Sequence, residues 1–151
     1  MNDLERAKAI MGQVRRIDIQ INNKLEELAK YEALAQKITT TLQQDASFGS
    51  GNQDKLGDAV AKITDLENEI RSEIDALRNR RRAISEIIER VPDDCQMDIL
   101  QQHYLLHKSL KKVAGEMHMT VRNVRYIHGS ACQAVADILK EDRKEDSYVE
   151  D

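Results

Sequence analysis

Bulky aromatic residues are nearly missing from this 151-residue chain, which has no Trp, one Phe and four Tyr. Its single proline and six glycines are just as sparse. Sandwiches, barrels and doubly wound sheets need bulky apolar strands and frequent turns, so this scarcity argues against all three. The two cysteines, Cys95 and Cys132, form no CxxC pair. Neither a disulfide framework nor a cysteine zinc site is indicated, and both thiols are expected to be reduced and buried. No apolar run approaches the roughly 20 residues that cross a bilayer. The opening MNDLERAKAI lacks the apolar core of a signal peptide, so a cytoplasmic protein is expected.

An excess of either charge is missing as well: 23 Lys and Arg stand against 27 Asp and Glu, a net charge of -4. Residues 1–91 carry 15 basic and 16 acidic groups, residues 92–140 carry 6 and 5, and residues 141–151 carry 2 and 6. The last segment therefore supplies the whole imbalance. It is expected to be an acidic flexible tail. Interdigitated charges over the rest of the chain are what helix surfaces carry.

Long helical repeats are what the chain does have. Ile10, Val14, Ile17, Ile21, Lys24, Leu28, Tyr31, Ala35, Ile38 and Leu42 follow one another in steps of three and four, with Lys24 in an otherwise apolar series. Leu56, Ile63, Ile70, Leu77, Ile84 and Val91 hold a seven-residue period, and Val60, Leu66, Ile74 and Ile88 are read into the intervening turns. A period of about 3.5 is that of a coiled coil. Between the two series, Gly49, Ser50, Gly51 and Asn52 are turn residues, and a loop is expected over about 44–53. The two arms match at about 60 Å of helix each. An antiparallel coiled-coil hairpin over 1–91 is the economical reading, with either a second hairpin in a homodimer or the C-terminal domain covering leftover apolar positions such as Leu25, Leu34 and Ile87.

Pro92 marks a boundary, because proline disfavours helix in the residue before it and suits the start of a new one. Three short helices are expected in a domain over 92–140: about 93–107 with Ile99, Leu100, Leu105 and Leu106 apolar, about 110–117 capped by Ser109, and about 121–139 capped by Thr120. The fold class is all-α, a helical hairpin followed by a small trihelical domain.

The segment LKKVAGEMHMTVRNVRYIHG, residues 110–129, has the spacing of a helix-turn-helix. Val113 and Met117 face inward, Ala114 is small where helices meet, and Met119 plugs the turn. Val124 and Ile127 then anchor the second helix. His118 stands where the turn usually has glycine, since it needs a left-handed backbone. Val121, Arg122, Asn123, Arg125 and Tyr126 remain outward on the second helix, where a major groove would be read, with arginine suited to guanine and asparagine to adenine.

The run ILQQHYLLHKSLKKVAGEMHMTVRNVRYIHGSACQAV resembles region 4 of sigma-70 factors. The upstream INNKLEELAKYEALAQKITTTL and SGNQDKLGDAVAKITDLENEI resemble small phage and prophage proteins of Gram-positive bacteria that pair such a hairpin with a sigma-like helix-turn-helix. The resemblance implies a transcriptional regulator that binds double-stranded promoter DNA and touches RNA polymerase. It puts Val121, Arg122, Arg125 and Tyr126 at the bases and Lys108, Lys111 and Lys112 at phosphates, and Thr120 and Asn123 complete the candidate DNA-binding set. Val121 fills a slot that is usually polar in that family.

Other readings compete. Small phage terminase subunits, which recognise DNA for packaging, also join a helix-turn-helix to long helices, and a coiled-coil adaptor would bind protein alone. Arg78, Arg80, Arg81 and Arg82 read as a salt-bridged helix face beside Asp75, Glu86 and Glu89. His103 and His107 share a face at i, i+4, but Tyr104 occupies the glutamate slot of HExxH, so no metal is expected. With no nucleophile beside a base, no phosphate loop and no carboxylate cluster, neither catalysis nor a cofactor is expected.

Overall fold

The computed structural model describes residues 1–44 and 50–149. The protein is all-helical, with no strand among the described residues. Five α-helices follow in order: α1 Asp3–Gln44, α2 Ser50–Glu89, α3 Asp94–Leu100 with a π-turn over Gln101–Leu105, α4 Leu110–Glu116 and α5 Val121–Val149. None of these is long and apolar enough to cross a membrane. The chain divides into two compact units, one made of Ile19–Asn79 and the other of Met1–Asp18 with the chain from Arg80 onward. This division falls inside α1 and α2 rather than at Pro92. The first turns of α1 and the last turns of α2 belong with the C-terminal helices, because their apolar faces serve the same unit.

Within the Ile19–Asn79 unit, α1 and α2 run antiparallel, since Lys24 pairs with Glu73 while the later Glu32 pairs with the earlier Arg71. Ile21, Ile63, Ile70, Ile74 and Leu77 are buried, each contributing roughly 1.5–3 kcal/mol if fully removed from water. The expected inward Leu66 is instead 40% exposed, and Glu67 is 9% exposed in its place. A step of four from Ile63 and of three to Ile70 lands on 67, so helix geometry puts the glutamate in the seam whatever its polarity. Arg71, one turn on, lies 3.4 Å from the Glu67 carboxylate, and no described buried side-chain N or O atom lacks a partner. Lys24, the other polar seam residue, has its pKa raised by the hydrogen bond it donates to Glu73. Leu25 and Leu34 are largely exposed, so the seam leaves them unused.

Ser50–Gln53, expected in a loop, already belong to α2, because extending a formed helix costs far less than starting one. The rest of that expected loop, residues 45–49, lies outside the described residues.

In the other unit, Ala7, Met11, Val14 and Ile17 of α1, Ile84 and Ile88 near the end of α2, and Val91 just beyond it are buried. Asp93 caps α3 by accepting from the Gln96 N–H at 2.9 Å. Ile99, Val113, Ala114 and Val124 form a core from α3, α4 and α5, with Leu110, Met117, Met119, Val121 and Ile127 packed against it. Cys132 is buried with Ala131, Val135 and Ala136, but Cys95 is only half-buried, correcting the expectation for that thiol. Leu106, expected in the apolar set, is 60% exposed because the helix ends there.

The expected frayed tail is also corrected, for α5 continues to Val149. Arg90 donates to both carboxylate oxygens of Asp142 at 2.8 and 2.9 Å, and Arg143 pairs with Asp3, so the helix is held where it would otherwise unravel.

Replacing Glu67 with leucine should raise the unfolding free energy by about 1–2 kcal/mol in urea denaturation, because an apolar seam residue outweighs a weak ion pair. The polar residue then contributes register rather than stability. Unchanged or lower stability would count against its place in the seam.

Candidate nucleic-acid interface

The interface begins with two caps. Ser109 Oγ accepts from the Lys112 N–H at 3.1 Å to start α4, and Thr120 Oγ1 accepts from the Asn123 N–H at 3.1 Å to start α5. Between them, α4 closes through paired reverse bonds. The Met119 N–H donates to the Ala114 carbonyl at 2.9 Å and the His118 N–H to the Gly115 carbonyl at 3.4 Å. That pattern requires a left-handed residue, and His118 has φ 56°. The turn therefore sits where glycine was expected to be preferred, with histidine carrying the strain.

Val124 is fully buried and Ile127 half-buried, so α5 is held by one face. Arg122, Asn123, Arg125 and Tyr126 point away from it, and Tyr126 is 75% exposed. Among the described residues, neither arginine has an ion-pair partner. Val121 is corrected, because it is half-buried against the α3–α4–α5 core rather than outward. A valine at the first helical turn gains more from covering the core of Ile99, Val113, Ala114 and Val124 than from facing water. Thr120 is exposed but spends its hydroxyl on the cap. Lys111 and Lys112 are exposed at the start of α4, while Lys108 donates to Glu116 at 2.7 Å and lowers that carboxyl's pKa through this hydrogen bond.

Behind this surface lies a set of contacts that local spacing did not indicate. Asp18 accepts from Arg81 Nε at 2.7 Å and from His107 Nε2 at 2.7 Å. Burial opposes ionisation of Asp18, but those two hydrogen bonds outweigh it and its pKa falls. Arg81 also donates to the Leu105 carbonyl at 3.0 Å, so the expected partners Asp75, Glu86 and Glu89 are replaced by an aspartate 63 residues earlier. His107 has φ 59° and ends the α3 helix, and His103 Nδ1 donates to the Lys108 carbonyl at 2.7 Å across the same bend. The two histidines thus hold one elbow by separate bonds. Among the described residues, no group of three or more His, Cys, Asp or Glu side chains is arranged around a metal position. No periodicity links Asp18 to His107 or Arg81; a carboxylate beside an arginine run was the only available hint.

His128, two residues after Tyr126, is half-buried rather than outward. The Tyr104 hydroxyl shares a hydrogen bond with its Nε2 at 3.0 Å, with the rings stacked at 5.6 Å, and Cys132 Sγ lies 3.5 Å from the same nitrogen. Burial, with His103 and Lys8 nearby, pushes the His128 pKa down to about 4. Burial likewise raises the Tyr104 hydroxyl and the Cys132 thiol, so all three stay neutral near pH 7.

Two outcomes follow. Because His128 has a lower pKa folded than the 6.5 of an exposed histidine, the unfolded chain binds the extra proton. Stability present above pH 6.5 should therefore fall as pH drops toward 4, and His128→Gln should flatten that part of a urea-midpoint profile. At the turn, His118→Gly should gain up to about 1 kcal/mol and His118→Val should lose at least as much, read by thermal melting, since β-branched residues tolerate a left-handed backbone least.

No family model, curated protein or solved structure matches this chain, so its own residues carry the functional reading.

Proposed function

We propose that the protein is a DNA-binding transcriptional regulator of the phage or prophage type, with α4 and α5 acting as a sigma-70 region 4-like helix-turn-helix. The observation that carries this reading is the outward group Arg122, Asn123, Arg125 and Tyr126, held on the N-terminal half of a helix whose opposite face is pinned by Val124 and Ile127. A helix entering the major groove presents that half to base edges, and arginine there takes guanine O6 and N7 as a bidentate pair. Lys111 and Lys112 would meet phosphates, and Thr120 would orient the first turn. Tyr126 is broad enough to cover a thymine methyl or a sugar. In this reading α1 and α2 form a coiled-coil hairpin that presents the domain to RNA polymerase or to a second copy.

The domain's near-balanced charge calls for modest affinity and for sequence preference that rests on few contacts. Anisotropy of duplexes selected from a random pool, measured beside unselected duplex over a salt series, tests it. Log affinity should fall linearly with log salt. Arg122→Ala with Arg125→Ala should remove the preference, each arginine accounting for about 1–3 kcal/mol of discrimination. Absence of duplex binding at low salt would sink the reading and favour an adaptor that binds protein alone. A ring of about eight or more subunits with DNA binding intact would favour a packaging subunit instead.

A further inference from the structure

The C-terminal unit has a groove of about 420 Å³ that the reading above does not use. Met11, Gly12 and Arg15 of α1 form one wall, and His103, Tyr104, His107, Lys108 and Ser109 of the α3–α4 elbow form the other. Most polar groups along it already have partners. His107 is held by Asp18, His103 by the Lys108 carbonyl, Tyr104 by His128 and Lys108 by Glu116. Arg15 differs, being an exposed guanidinium on the wall with no ion-pair partner among the described residues. The groove's positive charge is therefore unspent at one point, with the Lys108 ammonium and the Ser109 hydroxyl on the facing wall.

Gly12 supplies a second observation. It lies well inside α1, where glycine costs about 1 kcal/mol relative to alanine. No neighbouring heavy atom lies within 4 Å of the place where its Cβ would sit, so close packing does not explain the residue. What the missing side chain does provide is depth beside Arg15.

We propose that this groove binds a phosphate group, held by Arg15 over the bare backbone at Gly12, with Lys108 donating a second N–H beside its bond to Glu116. The DNA backbone is its source in the reading above, on which that part of the inference rests. Lys108 adjoins the cap of α4, whose Lys111 and Lys112 are the phosphate contacts of the same reading, so one strand would be followed from α4 onto the N-terminal helix. Guanidinium binds phosphate through paired N–H donors, a geometry that lysine does not reproduce.

The test uses the full chain and two ligands. Inorganic phosphate, titrated at ionic strength matched with chloride, should give saturable NMR shifts at the Arg15 side-chain Nε–H and the Lys108 and Ser109 amides. Those at Lys108 and Ser109 should disappear in Arg15→Gln and in Gly12→Leu, which fills the groove, and persist in Arg16→Gln, which removes the same charge outside it. Against unselected duplex, Arg15→Gln should lower the slope of log affinity on log salt by about one, as loss of one phosphate contact does, while Arg16→Gln leaves it unchanged. Phosphate shifts without duplex binding at low salt would support the site and overturn the DNA reading, leaving a small phosphorylated ligand as the source. Absence of shifts with equal slopes for Arg15→Gln and Arg16→Gln would overturn the proposal. Circular dichroism confirms that each variant retains its helix content before it is scored.

Discussion

The outward face of α5 depends on the burial of Val124 beneath Ile99, Val113 and Ala114. A helix has one stripe to bury, and the residue that fills it decides which others meet water. With Val124 fully enclosed and Ile127 one turn further, Arg122, Asn123, Arg125 and Tyr126 have no inward alternative. Ala114 matters for the same reason, since a larger residue at that contact would hold α4 away from α5 and open the stripe.

Two histidines then set the angles at which the short helices enter. His107 and His118 both hold left-handed backbones, each directly after a helix has run out of intrahelical partners. Neither is stabilised by its own conformation, so surrounding bonds must hold the bends. At His118 the reverse bonds from Met119 and His118 suffice, with Met119 packed into the core. At His107 the helix first widens, the Leu106 N–H reaching back to the Gln101 carbonyl at 3.1 Å, and the ring is then secured by Asp18. Asp18 is thereby the point where α1, α2 and the α3–α4 elbow meet through charge, while the neutral Tyr104–His128–Cys132 set joins that elbow to α5.

The polar residues in the long-helix seam have a different consequence. Lys24 and Glu67 interrupt an apolar series, and each reaches a partner at the seam's edge, Glu73 and Arg71. A shift of either helix by a turn would part Lys24 from Glu73 and Glu32 from Arg71. Such residues weaken a seam while restricting it to one alignment. Exposed Leu25, Leu34 and Leu66 mark how little of the apolar content two helices alone can cover.

Much of this was legible one helix at a time. Scarcity of aromatics, proline and glycine indicated an all-helical protein, periodicity indicated α1 and α2, and Ser109 and Thr120 marked the starts of α4 and α5. These are local properties, carried by spacing and by side chains that bond their own backbone within three residues. Glu67 and Val121 were misjudged because residue chemistry was weighed above position: the glutamate lies in the seam and the valine covers a core. The tail was misjudged because its helix is held by Arg90 and Asp3, partners 52 and 140 residues away. The linking of Asp18 to Arg81 and His107, the inward turn of His128 and the meeting of Arg15 with Lys108 across one groove were decided by the tertiary structure alone. Sequence records which residue follows which, whereas these contacts exist only after separate helices have buried their stripes and brought distant side chains within hydrogen-bonding reach.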